Sequence, residues 1–172
     1  TTPRDPNALL RDVADMRRRL DGENHTECLW ALKHLRGGIV DIEFIAQYLT
    51  LKHAARHPDL LGRDIRGTLS ALTEAGLLET DDGRTLTGAL DLWQGLRGLL
   101  ALTNEGEIAT GREEEISAAL KQDLVRAAAS AAVDIADFDA LKETIRARAE
   151  TVYALFRKLI EDPAAALPAP AQ

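Results

Sequence analysis

The side chains best suited to chemistry fall into three groups. His53 and His57 lie four apart on a predicted helix, a spacing that lets two imidazoles share a metal ion. No acid lies between them and Pro58 follows at once. Zinc needs three or four protein ligands, so two surface residues at a helix end are the better reading, and no metal site is assigned. His25 and His34 show no useful spacing. Asp137-Phe138-Asp139 has the spacing with which paired carboxylates hold Mg²⁺ against substrate phosphates. Catalytic pairs of that kind sit on a strand after a Gly-Ser turn. Here the pair opens the most regular helix and the chain contains no Gly-Ser dipeptide, which favours helix capping.

The third group is Arg36, Gly37, Gly38, Asp41 and Glu43. Two glycines at the entrance to a helix allow a tight turn and close approach of another surface. Two readings stay open. In one, the acids complement the amides of the first helical turn. In the other, those amides and Arg36 face an anionic group such as a phosphate. Asp41 and Glu43 stand about 200° apart around a regular helix, so both cannot point at one site. No glycine-rich phosphate loop and no nucleophile elbow is present. Residues 64–87 outline a helix followed by an Asp-Gly turn, as in a winged-helix reader, but Arg66 stands without a basic cluster. The chain therefore carries no self-contained catalytic constellation.

Bulk properties narrow the class. A length of 172 residues suggests one domain, and 45% hydrophobic residues can build one sizeable core. With 4% aromatic content, that core must consist mainly of Leu, Ile, Val and Ala. A net charge of −7 opposes a large phosphate-binding footprint, which argues against nucleic acid as a partner. Arg17-Arg18-Arg19 is balanced by nearby acids and reads as a solvated helix face. Cys28 is the only cysteine, so a reducing, cytoplasmic setting is expected. No apolar run is long enough to cross a bilayer, and no signal-peptide pattern opens the chain. The absence of an initial methionine is read as a processed product or an excised fragment.

The elements follow from spacing and punctuation. Pro6 starts a helix carrying Leu9, Leu10, Val13, Met16 and Leu20, closed by Asp21-Gly22. Residues 28–35, with Trp30, read as a short extended segment whose partner strands are missing. A helix then runs from Gly37-Gly38 to about His57, with Ile39, Ile42, Ile45, Ala46 and Leu49 on one face and Phe44, Tyr48 and Leu51 on the next. An apolar circumference that wide places it centrally. Asp64 caps a helix with Ile65, Leu69 and Leu72 that stops at Gly76, and Asp81-Asp82-Gly83 reads as a turn. A helix over 85–103 turns Leu86, Leu90, Trp93, Leu96 and Leu100 inward, and 104–112 reads as a loop. Ile116, Leu120 and Leu124 begin a helix that continues through 127–132. The last helix carries Phe138, Leu141, Ile145, Val152, Leu155 and Leu159, with Arg148 out of register, and Asp162-Pro163 ends it. The expected fold is all-α, a bundle of about five or six helices with a short extended segment before the Gly-Gly motif. The expected divisions are 1–27, an N-terminal helix and connection; 28–162, the helical domain; and 163–172, a disordered tail.

The run from Lys33 to Leu51, with Arg36-Gly37-Gly38-Ile39-Val40-Asp41-Ile42-Glu43-Phe44 and Gln47-Tyr48-Leu49, resembles the glutamine synthetase adenylyltransferase family. The surrounding pattern, Leu10 to Arg17 upstream and the leucine helices downstream, extends the resemblance to about residues 8–162. PII uridylyltransferases carry a looser version of the motif. The resemblance implies the helical domain that follows a nucleotidyltransferase domain, in the C-terminal half of a bifunctional enzyme. One half attaches AMP from ATP to a tyrosine of glutamine synthetase; the other removes it by phosphorolysis. Glutamine synthetase, a PII signalling protein and the chain's own nucleotidyltransferase domain are the implied partners. Mg²⁺ and ATP belong to the parent enzyme, and this fragment is expected to bind neither and to be inactive alone. Arg36, Gly37, Gly38, Asp41 and Glu43 are the family-motif positions, implied to buttress the missing active site. A free-standing helical interaction module and the helical domain of a PII uridylyltransferase are the alternatives.

Overall fold

The computed structural model describes residues 5–103, 108, 112–131 and 135–169. Six helices form the bundle: α1 (Pro6–Asn24), α2 (Ile39–His53), α3 (Ile65–Glu74), α4 (Thr80–Leu102), α5 (Ala118–Ala129) and α6 (Phe138–Phe156). A π-helical stretch, Arg157–Glu161, leads from α6 into the single turn α7 (Asp162–Ala165). No strand occurs among the described residues. The all-α bundle read from the periodicity is the fold observed.

Local chemistry sets most helix starts. Asp5, Asp64, Ser117 and Asp137 each accept an amide hydrogen from the first turn of the helix they precede. Helix α2 has Ile39, Val40, Asp41, Ile42, Ile45, Ala46, Tyr48 and Leu49 buried, so it is enclosed on most of its circumference. It packs on α1, α3, α4 and α6. Helix α4 turns Leu86, Leu90, Trp93, Leu96 and Leu100 into the same core, as their spacing predicts.

Several boundaries differ from the sequence reading. Residues 28–35 are not extended but a chain of turns. Ala31 N donates to Cys28 O, Leu35 N to Ala31 O and Gly38 N to Leu35 O. With no neighbouring strand, these backbone groups find partners locally, so no missing sheet is implied. Helix α1 continues through Asp21-Gly22 to Asn24, and Met16 is 62% exposed rather than inward. Helix α2 ends at His53, and turns carry the chain to Pro58. Leu51, assigned to a second apolar face, is half exposed. Asp81-Asp82-Gly83 lies in the first turns of α4, where the two acids complement the amides of the helix start, so there is no wing. Arg148 is out of register because Ala149, not Arg148, turns into the core. Helix α5 ends at Ala129; residue 132 of the alanine-rich run, and 104–107 and 109–111 of the expected loop, lie outside the described residues. Pro163 does not stop the chain at 162, because it occupies the first turn of α7, where a missing amide costs nothing. Leu167 then packs on the core and Pro168 O accepts from Arg11 Nη2 at 2.5 Å; 170–172 lie outside the described residues.

Candidate functional site

The glycine pair sits where α2 begins, and its geometry follows from one carboxylate. Asp41, in the first turn of α2, is fully buried. Its Oδ2 accepts from Gly37 N at 2.6 Å and its Oδ1 from Arg17 Nε of α1 at 2.5 Å. The acid thus closes its own helix entrance and ties it to a helix 24 residues away in sequence. A buried carboxylate with a charged and a backbone donor is in the arrangement that low-dielectric surroundings require.

Gly37 has φ of +80°, and a Cβ placed on it would stand 1.8 Å from the carbonyl oxygen of Ala149 in α6. Only glycine can make this turn against that helix. The Gly37 carbonyl oxygen accepts from the Trp93 indole N–H of α4 at 3.1 Å. Four helices therefore meet at this turn: α2 through Asp41, α1 through the Arg17 that Asp41 holds, α4 through Trp93 and α6 through Ala149. Gly38 follows as the N-cap residue of α2 and is buried.

Arg36 lies on the outer side of this turn and is exposed. Its guanidinium stacks 5.4 Å above the Tyr153 ring and reaches Asp21 at 3.4 Å. A cleft of about 90 Å³ opens beside it, lined by Arg17, Asp21, Arg36, Tyr153, Phe156 and Glu161 among others. Asp21 is the acid both arginines share: burial acts to raise its pKa, but Arg17 and Arg36 hold it below the ordinary carboxylate value. Burial and the Glu161 carboxylate push the Tyr153 phenol up, and that phenol donates to Glu161 at 3.1 Å. The π-helical stretch carries Glu161 to this position.

Of the five motif positions, the structure brings Arg36, Gly37, Gly38 and Asp41 together. Glu43 is half-buried on another side of α2 and does not line the cleft. Sequence reasoning misses Arg17, which it assigns to a solvated face; the residue is 6% exposed. A signal exists, since Leu10, Ala14, Arg17 and Asp21 recur at three- and four-residue spacing along one stripe of α1. Trp93 reads from its spacing as core packing, and nothing in that spacing announces the hydrogen bond to Gly37.

The other candidates have structural partners. Asp137 caps α6 through Ala140 N, and Asp139 pairs with Lys142 at 2.8 Å. Arg66 forms a bidentate pair with Asp91 of α4. His53 ends α2, where burial and then the Lys52 charge lower its pKa. Both Asp41 oxygens are committed, and no cluster of three or more metal-ligating groups occurs among the described residues.

Comparison with known proteins adds a lineage. Residues 11–160 match the family model described as GlnD PII-uridylyltransferase. The bifunctional glutamine synthetase adenylyltransferase/adenylyl-removing enzyme of Bradyrhizobium sp. (strain BTAi1) is 38% identical over 160 residues, 93% of this chain and 15% of its own length. The proteins of the same description from Xanthobacter autotrophicus and Rhodopseudomonas palustris (strain TIE-1) are 35% and 36% identical, over 92% and 93% of this chain and 15% of their own lengths. The chain thus spans about 15% of the length of these curated relatives.

Proposed function

This chain belongs to the GlnD PII-uridylyltransferase family of nitrogen-regulation nucleotidyltransferases, and from that premise we propose that it is the C-terminal helical domain of a bifunctional glutamine synthetase adenylyltransferase. The parent enzyme transfers AMP from ATP to a tyrosine of glutamine synthetase in the cytoplasm, and its other half removes the group by phosphorolysis. ATP and Mg²⁺ are held by a nucleotidyltransferase domain outside this chain. The helical domain braces that domain and contributes to recognition of glutamine synthetase or of a PII signalling protein. The descriptions of the relatives and the Ile42-Glu43-Phe44 and Gln47-Tyr48-Leu49 extension of the motif support this branch. The description of the matching family supports the alternative, the helical domain of a PII uridylyltransferase.

One observation carries the reading. Asp41 is consumed inside the protein by Arg17 and Gly37, so its work is to fix the turn. Arg36 is left exposed on that fixed turn, and Glu43 only half-buried. A rigid turn whose exposed guanidinium is already held over Tyr153 can meet an anionic group on a neighbouring domain at little further ordering cost, in exchange for its 3.4 Å contact with Asp21.

The test uses the full-length enzyme. Arg36→Ala and Glu43→Ala should each lower adenylyl transfer by about tenfold or more, the equivalent of one charge-assisted contact, with little change in melting temperature. Parallel losses of activity and melting temperature would assign both residues to structure alone and overturn the bracing role. The 172-residue chain by itself should transfer no AMP; transfer above background would refute its reading as a supporting domain.

A further inference from the structure

A second cavity lies on the other side of the turns that lead to the motif. It has a volume of about 430 Å³, within the usual range for small-molecule sites. Its walls include Trp30, Leu32 and Leu100, all at least nine-tenths buried. The Trp30 ring is stacked on Phe138 at 5.4 Å between centroids, which holds that wall rigid. Lys33, His34 and Arg97 also line the cavity, and none of the described residues lining it is acidic.

That lining departs from the rest of the surface. The chain carries a net charge of −7, and most of its exposed arginines lie within reach of a carboxylate. Lys33 and Arg97 are exposed and have no ion-pair partner among the described residues. Two cations and an imidazole around an apolar floor attract an anion, and the floor rewards an anion that brings apolar surface with it. A bare inorganic ion would leave the floor wet; a neutral aromatic would leave the charges unmatched.

We infer that this cavity, between the turn Leu32–His34 and the C-terminal part of α4, is a binding site for a small organic anion: a phosphate or carboxylate carried on a flat apolar body. The body lies against Trp30, Leu32 and Leu100, and the anionic group meets Lys33, His34 and Arg97. The site is joined to the motif by backbone. Leu32 O accepts from Ile39 N at 2.9 Å, and Lys33 O accepts from Val40 N at 3.1 Å. A ligand that orders this turn orders the first turn of α2, on which Asp41 stands. The inference does not depend on which reaction the parent enzyme performs, and its test reads binding alone, so it can fail or stand independently of the proposed function.

The test is a calorimetric and fluorescence titration of the full 172-residue chain with phenyl phosphate, with benzoate, inorganic phosphate and benzyl alcohol in parallel. Phenyl phosphate or benzoate should bind one to one with a Kd of about 1 mM or better, and the tighter of the two identifies the anionic group. Inorganic phosphate and benzyl alcohol should each bind at least about tenfold more weakly. Trp30→Phe should diminish the fluorescence response, leaving only the contribution of Trp93, while calorimetric binding persists. Lys33→Gln combined with Arg97→Gln should weaken binding by about tenfold or more, with an unchanged circular-dichroism spectrum, since both side chains are exposed. Absence of saturation by either aromatic anion up to about 10 mM would overturn the inference. So would undiminished binding to the double variant, or benzyl alcohol binding as tightly as phenyl phosphate.

Discussion

At Asp41 a single carboxylate receives a backbone amide from its own helix entrance and a guanidinium from α1. Neither contact is a surface ion pair of the kind that contributes little. Both partners are almost fully enclosed, so deleting Asp41 leaves the Gly37 amide without its acceptor and Arg17 with only its longer contact to Asp21, at 3.5 Å. Asp41→Ala should therefore lower the unfolding free energy by about 3–5 kcal/mol, whereas Asp139→Ala, which removes an exposed pair with Lys142, should change it by less than about 1 kcal/mol. Urea denaturation of the two variants checks the contrast. If the two costs are equal, the Arg17–Asp41–Gly37 node is not what holds the turn. The sequence places Asp41 at a helix start, where dipole complementation suffices to explain it. That reading treats the acid as exposed, and the burial that changes its role arises from α1 and α6 closing over it.

The element at issue is the entrance to α2, and its tolerance for a side chain is set by what stands opposite. Gly37 and Gly62 both have left-handed backbone, at φ of +80° and +77°. A Cβ added at Gly62 would have nothing within 4 Å, while one at Gly37 meets the Ala149 backbone. Gly62→Ala should cost only the conformational penalty, about 1–2 kcal/mol. Gly37→Ala must in addition push α6 away, and a cost of about 3 kcal/mol or more is expected. Thermal unfolding of the pair measures the difference, and similar melting temperatures would mean that α6 yields without penalty. The glycines are legible in the sequence as a turn; the identity of the helix pressed against them is not. The same distinction explains residues 28–35, whose imperfect alternation suits a strand only if a partner exists to pair with it.

Across the whole molecule, the chain beyond α6 closes the bundle rather than trailing from it. Helix α7 packs on α1, Leu167 reaches the core, and Arg11 holds the Pro168 carbonyl. Truncation after Glu161 should cost about 1–3 kcal/mol through the loss of buried apolar surface from Ala164 and Leu167. An unchanged denaturation midpoint would show that the segment only rests on the surface. The composition of this stretch, rich in Ala and Pro, suggests disorder, because low aromatic and β-branched content cannot build a core of its own. In the structure Ala164 and Leu167 lie against a core that the other helices form.

What the sequence determined by itself was the pattern that repeats: helical periodicity, caps at Asp64 and Asp137, the inward rows of α2 and α4, and the Arg-Gly-Gly-Ile-Val-Asp run that marks the lineage. Each is encoded within one or two turns of chain, where backbone geometry alone fixes which residues share a face. What only the tertiary structure decided was the partner of each polar group. Arg17 meeting Asp41, Trp93 meeting the Gly37 carbonyl, and the basic residues around Trp30 gathered at one cavity all join positions distant in sequence. Such contacts depend on how helices cross, and crossing is set by the packing of every side chain at once.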